Sequence, residues 1–410
     1  MNMKILHVNK FFDFHGGAEV YLHRLMRAQE LAGNEVHVLS TRSEQNAASI
    51  DARYFVQRFS LDRKEGAARD LQKAVNFIWN RDARRSMERM IREIRPDVIH
   101  LHNLYHHLSS SVLSPIRASG IPCVQTLHDY KLACPNYRMF VEGKPCERCH
   151  GGKYLNVVRH RCLFPSFLPN VLAAMEMGMT KGRQSYERTV RMFLCPSHFM
   201  KNKMEEWGEP PSKMAYLPNP VDLPETTAAR GGGYLLYVGR LWPEKGVESF
   251  LRAAMQIPEM PVKIVGRGPE EERLRSLVRE NGASHIEFLG FQPPVEVARI
   301  RQRAEAVVLP TVMYENASGT LLEAMADGLP CLATKIGGNT ELVDDEQSGF
   351  LVLPNATDDW LRILRRFQAL PIEIRRAMGE RGREKIQSSH LWSDHLNRLQ
   401  TIYREVGARG

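Results

Sequence analysis

Short apolar runs alternate with amphipathic stretches along nearly the whole chain. Residues 4–9, 35–40, 97–102, 122–127, 192–195, 234–238, 261–265, 286–289, 306–310, 330–334 and 350–352 read as buried strands. Between them, residues 19–31, 81–95, 247–254 and 269–280 are amphipathic with helical spacing. That order predicts an α/β protein with parallel sheets covered by helices. One stretch breaks the rhythm. Residues 209–233 contain EPPSK, LPNPVDLPE and RGGG, and this Pro- and Gly-rich segment reads as a linker. It divides the chain into two halves of about 200 residues, a size suited to separate domains. Residues 134–180 are the least regular and read as an insertion or lid in the first half.

Composition changes this picture little. The 410 residues are 43% hydrophobic and 25% charged, which is ordinary for a globular protein. Charge is more informative. The net charge is +9, but residues 1–200 hold 29 Lys+Arg against 18 Asp+Glu, whereas residues 201–410 hold 27 against 29. A basic first half suits nucleic acid, an anionic membrane or a phosphorylated substrate, or is simply a soluble basic domain. The opening MNMKILHVNKFF reads as a strand rather than a signal peptide. No run approaches the ~20 apolar residues of a membrane span. The nearest, 164–180, is broken by Pro165, Pro169, Asn170 and Glu176. The expectation is a cytoplasmic protein whose seven cysteines stay reduced.

Several strand ends carry phosphate-friendly loops. HGGAE, residues 15–19, follows the first strand and opens a helix, where Gly16 and Gly17 let a ligand approach the backbone. VGRGPEEE carries Gly266 and Gly268 but has Glu271 where a dinucleotide fingerprint needs a small residue, so it does not indicate NAD. In YVGRLWPEKGVESF, Arg240 leaves a strand and Lys245 lies near a helix start. A cation is disfavoured there unless an anion sits between it and Arg240; the alternative is two solvated surface cations. In VMYENASGTLLEAMADGLP, Ser318 is placed to cap a helix over 319–326, and its free amides suit a phosphate. Glu315 and Glu323 flank that helix start. Carboxylates repel phosphate but accept hydrogen bonds from hydroxyls. A diphosphate with a hydroxylated ring at each end, a nucleotide sugar, satisfies all of these groups.

HGGAE, TLHDY, YVGRLWPEKG, VKIVGRGP, FLGF and the Glu315/Glu323 pair together resemble the retaining glycosyltransferases of family four. HLWSDHLNRLQTIYREV resembles that family's last helix. The resemblance implies the GT-B architecture: two Rossmann-like parallel-sheet domains facing a central cleft, with a C-terminal helix crossing back to the first. The corresponding parts are an acceptor-binding domain over 1–210 with the insertion 134–180, a nucleotide-sugar domain over 211–385, and a returning helix within 386–410. It further implies that Arg240 and Lys245 bind the donor diphosphate, that Glu315 contacts the transferred sugar, and that Glu323 contacts the ribose. Asn316, Ala317, Ser318, Gly319 and Thr320 would meet sugar and phosphate through their backbone. Gly16 and Gly17 would approach the phosphate from the other domain. Gly266, Phe288 and Leu289 would lie near the nucleobase, and His128 near the reacting carbon. His128 and Asp129 could instead be core or hinge residues. The sequence departs from the family's E-G-F-G with E-N-A-S-G, so donor-sugar preference does not carry over.

No D-x-D occurs in the chain, which argues for a metal-independent diphosphate site built from Arg240, Lys245 and the helix start. The implied reaction is retaining transfer from a UDP- or GDP-sugar to a glycan acceptor. A polyprenyl-diphosphate-linked glycan of a bacterial surface polysaccharide or lipopolysaccharide fits the basic half. Arg81, Arg84, Arg85, Arg89, Arg92 and Arg95 recur on one helical stretch and could rest on the inner face of an anionic membrane. A soluble acceptor, a non-catalytic nucleotide-sugar binder of the same fold, and an epimerase or phosphorylase remain open. Nucleic-acid binding is disfavoured, because few aromatics interleave with the cations. Cys134, Cys146, Cys149 and Cys162 contain a central C-x-x-C and match a four-thiolate zinc knot or four free thiols, with His150 and His160 as spare ligands.

Overall fold

The computed structural model describes residues 2–14, 16–60, 65–228 and 232–408. The expected strands assemble into two six-stranded sheets. Edge to edge, the first runs Met214–Tyr216, Met192–Cys195, Cys123–Thr126, Val98–Leu101, Lys4–Val8 and Glu35–Leu39. The second runs Ile286–Gly290, Val262–Val265, Leu235–Val238, Ala306–Leu309, Cys331–Thr334 and Gly349–Val352. Every pairing in both sheets is parallel. This explains the near-continuous apolar runs, because helices cover both faces of a parallel sheet. The chain belongs to the GT-B fold class: two doubly wound domains and a returning C-terminal helix.

Two expectations need correction. The stretch 209–233 is not linker throughout, since Met214–Tyr216 pairs with Met192–Cys195 and carries the first domain past residue 210. Three residues between proline-rich flanks have no pattern of their own, and only the neighbouring strand makes them extended. Part of RGGG, Arg230 and Gly231, lies outside the described residues. The segment 134–180 is also more ordered than its sequence suggests. It holds a hairpin of Phe140–Val141 with Lys144–Pro145 and the helices Asn156–Arg159 and Phe167–Gly182. The last of these buries Leu172, Ala173 and Ala174 with Val157, Leu163 and Phe77 in a satellite core.

The final helix, Trp392–Glu405, packs on the first domain although it follows the second. Leu399, Ile402, Tyr403 and Val406 share a core with Met3, Ile5, Tyr21, Leu25, Val98 and Val124. Their spacing of three and four residues keeps them on one helix face.

Candidate active site

In a doubly wound sheet, ligands bind outside the carboxyl ends of the strands, where the strand order reverses. In the second sheet that point lies between Leu235–Val238 and Ala306–Leu309. The first strand leads into Gly239, Arg240 and a short turn, Pro243–Lys245. The second leads into Tyr314, Glu315 and Asn316, then the helix Gly319–Ala326. Topology thus brings Arg240, Lys245, Glu315 and a helix N-terminus into one crevice.

Lys245 Nζ donates to Glu315 Oε1, and the two side chains are only 17% and 13% exposed. The acidic partner that the structure gives Lys245 is neither of its sequence neighbours Glu244 and Glu248 but Glu315, 70 residues away. Arg240 remains exposed, its guanidinium 5.4 Å from the Trp242 ring centre. Ser318 caps its helix, accepting the Leu321 N–H at 3.4 Å. Among the described residues, the amides of Gly319 and Thr320 have no protein acceptor, which leaves donors for an anion at the positive helix end. The Thr320 hydroxyl donates to Val238 O at 3.3 Å and ties the helix start to the strand end. Ala317 is half-buried between Asn316 and the cap.

Glu323 lies one turn into the helix, where Arg301 Nη1 donates to it at 2.7 Å and Arg301 Nε to Asp327 at 2.5 Å. Arg24 of the first domain reaches within 3.9 Å of Glu323. Sequence reading missed Arg301 and Arg24, because neither stands in a local pattern with Glu323. It also missed Gly337 and Gly338. A Cβ on Gly338 would lie 2.0 Å from Asn316 O, and one on Gly337 2.4 Å from Glu315 O. Only glycines allow this loop to brace the backbone that carries Glu315. Gly266 acts similarly at the neighbouring strand end. Its φ is +136°, and a Cβ there would lie 1.8 Å from Gly239 O. Phe288 and Leu289 diverge. Phe288 packs against the core that holds Leu274 and Val278, with Arg275 4.8 Å from its ring centre, whereas Leu289 packs against the core that holds Leu321 and Leu322. Of the two side chains, Leu289 packs into the core that the Gly319–Ala326 helix helps to form.

The carboxyl edge of the first sheet faces this crevice. Asn316 joins the two sides: its Nδ2 donates to Leu127 O at 2.9 Å and its Oδ1 accepts from Ser197 Oγ at 3.2 Å. Glu341 accepts the His198 N–H at 2.8 Å and that of Phe199, capping a first-domain helix from across the cleft. Gly16 and Gly17 sit at the start of the Gly17–Leu31 helix, with Glu19 buried in its first turn. The adjacent His15 lies outside the described residues.

His128, next to Leu127, ends a hydrogen-bonded chain whose direction is fixed by the Gln29 amide, and a second, shorter chain lies beside it. Pro218 O can only accept, so His395 Nδ1 donates to it, at 2.8 Å. His395 Nε2 must then accept from Tyr21 Oη, at 2.8 Å. In the sheet itself, His100 Nε2 pairs with Thr126 Oγ1 at 2.7 Å. His100 Nδ1 accepts from Tyr403 Oη at 2.7 Å, and Tyr403 from Gln29 Nε2 at 3.2 Å. Gln29 Oε1 accepts from His7 Nε2 at 2.7 Å, His7 Nδ1 from His102 Nε2 at 3.1 Å, and His102 Nδ1 from His128 Nε2 at 2.9 Å. Burial lowers His7 and His128 to about 4 and also holds His100 and His102 well below the usual imidazole value, so all four rings are neutral at pH 7. His128 therefore holds its proton on Nε2 and keeps Nδ1 as an acceptor. His7, His100 and His102 lie close enough to suggest a metal centre, but their ring nitrogens are all committed to this chain. Beside His128, burial raises Asp129 to about 6, and Tyr105 Oη donates to it.

Residues 15–225 match the model for Glycosyltransferase Family 4, and residues 222–385 match that for Glycosyl transferases group 1. The first match covers half of the chain, and the chain belongs to glycosyltransferase family 4. It is 30% identical to WcaL of Escherichia coli (strain K12), described as a colanic acid biosynthesis glycosyltransferase, over 53% of this chain and 55% of that one. It is 22% identical to an Escherichia coli UDP-Gal:alpha-D-GlcNAc-diphosphoundecaprenol alpha-1,3-galactosyltransferase over 81% of each chain. The Anabaena protein HepE, solved with UDP and glucose, superposes with a TM-score of 0.67 over 98% of this chain and 99% of its own, at 16% identity. The chain spans about half the length of the curated relatives it matches first.

Proposed function

We propose that this protein transfers a sugar, with retention of anomeric configuration, from a UDP- or GDP-sugar to a polyprenyl-diphosphate-linked glycan of a bacterial surface polysaccharide. The observation that carries this reading is the crevice in which Arg240, Lys245, Glu315 and the open amides of Gly319 and Thr320 converge. In the transfer, the anomeric C–O bond to the diphosphate breaks and a bond to the acceptor oxygen forms on the same face. Negative charge collects on the leaving diphosphate, where Arg240, Lys245 and the amides stabilise it without a metal. The acceptor proton passes to a departing phosphate oxygen. Glu315 and Glu323 accept hydroxyls of the sugar and ribose, and Arg301 presets the Glu323 carboxylate. The neutral His128 accepts a sugar hydroxyl at Nδ1. The diphosphoundecaprenol acceptor named for one relative and the UDP bound by HepE support the two substrate classes.

No helix among the described residues is long and apolar enough to cross a membrane. The arginine-rich helix is a weaker membrane contact than its sequence suggests, because Arg84, Arg85 and Arg89 pair with Glu88, Asp82 and Glu93. A better candidate is the exposed apolar set Leu71, Val75, Phe167, Leu168 and Met175, on two helices that pack together. Incubation with labelled UDP- and GDP-sugars and a polyprenyl-diphosphate glycan tests the activity; label in the lipid fraction is expected. Binding of UDP without transfer to any acceptor, and without hydrolysis, would instead identify a nucleotide-sugar sensor. Flotation with anionic vesicles tests the membrane contact, and indifference to anionic lipid at low salt would favour a soluble acceptor.

A further inference from the structure

Nothing in the proposed transfer uses the four cysteines of the insertion. They are spread over 29 positions of sequence, yet Cys134, Cys146, Cys149 and Cys162 all line one small cavity. Its other walls are Asn136, Phe140, Arg148, Asn156, Val157 and His160. The free space is about 10 Å³, room for one water-sized sphere and not for a multi-iron cluster. All four sulfurs are free thiols. The Phe140–Val141/Lys144–Pro145 hairpin delivers Cys146, whose N–H donates to Met139 O at 2.8 Å, and Cys149 follows across a tight turn. This hairpin and turn form a knuckle that offers two sulfurs from one side, while Cys134 and Cys162 approach from the flanking chain.

We propose that these four cysteines form a structural zinc site. Four thiolates in one small cavity are a closed tetrahedral donor set, the usual choice of a non-catalytic zinc. No three of the sulfurs yet lie within 4.8 Å of one another. Zn–S bonds of about 2.3 Å would bring them to about 3.8 Å apart. A change of χ1 rotamer moves a sulfur by about 3 Å, enough to close that gap without rebuilding the backbone. Arg148 is held at the rim by two acceptors, donating to Glu142 at 3.0 Å and to His160 Nδ1 at 3.1 Å. Arg148 thereby stands beside a centre that would carry excess negative charge.

The site's place in the molecule gives the metal a purpose. Glu147, between the two knuckle cysteines, accepts from Tyr314 Oη at 2.8 Å, and Tyr314 immediately precedes Glu315. Arg138, between Cys134 and the hairpin, lies 3.8 Å from Glu244, which immediately precedes Lys245. The insertion thus grips the chain neighbours of both members of the Lys245–Glu315 pair. The zinc fixes the knuckle that carries this grip from the first domain to the second.

Metal analysis of chelator-free protein is the test, with about one zinc per chain expected. Cys146→Ser with Cys149→Ser should abolish it, and Cys162→Ser alone should lower zinc affinity at least tenfold in a chelator competition. Protein that holds no zinc as isolated, and takes up none after reduction and dialysis against zinc sulfate, overturns the proposal. So does a disulfide among the four in the intact mass, or an iron–sulfur absorption band. These readouts do not depend on sugar transfer. A second arm rests on the proposed donor site: Tyr314→Phe should keep its zinc but bind UDP several-fold more weakly. Unchanged UDP affinity with zinc retained would leave the metal site standing and overturn its role in bracing the cleft.

Discussion

Lys245 and Glu315 form an ion pair across the two loops that leave the central strands of the second sheet. The pair holds a cation beside a helix start without a bound anion and aims both groups into the crevice. A donor diphosphate would compete with Glu315 for Lys245. Glu315→Gln should therefore bind UDP as tightly as wild type or more tightly, measured by calorimetry, while its kcat falls at least tenfold. Weaker UDP binding would show that Glu315 does not restrain the lysine.

Arg240→Ala and Lys245→Ala should each lose transfer activity while keeping the wild-type melting temperature within a few degrees. One charge-assisted contact to a leaving phosphate contributes on the order of 2–4 kcal/mol to transition-state stabilisation. Steady-state kinetics beside thermal melts would separate the two effects. Near-normal turnover in both variants would move the diphosphate site elsewhere.

His102→Ala should act on catalysis through His128. Without its Nδ1 acceptor, His128 loses the bond that holds its proton on Nε2. Nitrogen NMR should report a single Nε2–H tautomer of His128 in the wild type and a mixture in the variant. A fall in kcat of about tenfold, near 1.4 kcal/mol, with donor KM little changed, is the kinetic counterpart. An unchanged tautomer would show that packing alone orients the ring.

Stability should decline as pH falls from 7 towards 4.5. His7, His128, His390 and His395 titrate near 4 in the folded protein, because burial disfavours their charged forms. An unfolded chain takes protons on these rings from about pH 6.5. Between those values the unfolded state binds more protons, so each ring removes up to about 1.4 kcal/mol per pH unit as acid is added. Asp129 opposes this, since its raised value makes the folded state bind the extra proton between its ordinary range and about 6. His37, raised chiefly by Asp51, also opposes it. Glu209 and Asp327, raised by burial, join these two, but burial also lowers His23, His100, His102 and His106, so the lowered histidines still outnumber the raised groups and thermal melts should shift downward from pH 7 to 5. A flat or rising profile would contradict burial of the neutral rings.

Asn316→Ala should weaken the contact between domains rather than either domain. Its amide bridges Leu127 and Ser197, and no other side chain of the 315–320 loop reaches both. A higher donor KM and a larger radius in solution scattering are expected. Gly338→Ala is the harsher change. Its Cβ would meet Asn316 O at 2.0 Å, so the loop must shift, at a cost of about 1–3 kcal/mol in stability.

Much of the fold was legible in the sequence because a parallel sheet buries both faces of each strand. Eleven apolar runs became eleven of the twelve strands in the two large sheets, and Met214–Tyr216 escaped, being too short to carry a pattern, as did the two-residue strands of the small sheets. The helix over 319–326 was legible for a local reason as well. Ser318 caps its first turn, and Gly328 follows its end in a left-handed conformation that few other residues adopt. Arg240, Lys245, Glu315 and Glu323 stood out because their motifs lie at strand ends and helix starts.

The elements, their order and the charged groups at their ends can be read from the chain before it folds, because those depend on spacing within one segment. Who meets whom is set only by folding. Lys245 meets Glu315, Glu323 meets Arg301, and Tyr314 meets Glu147, across separations of 70, 22 and 167 residues. The same is true of the tautomer of His128, which is set through bonds that run from Gln29 by way of His7 and His102. A local pattern records the period of a helix or strand. It carries no record of which distant backbone will approach, because strand order and the packing of the two domains create those contacts only when the whole chain has folded.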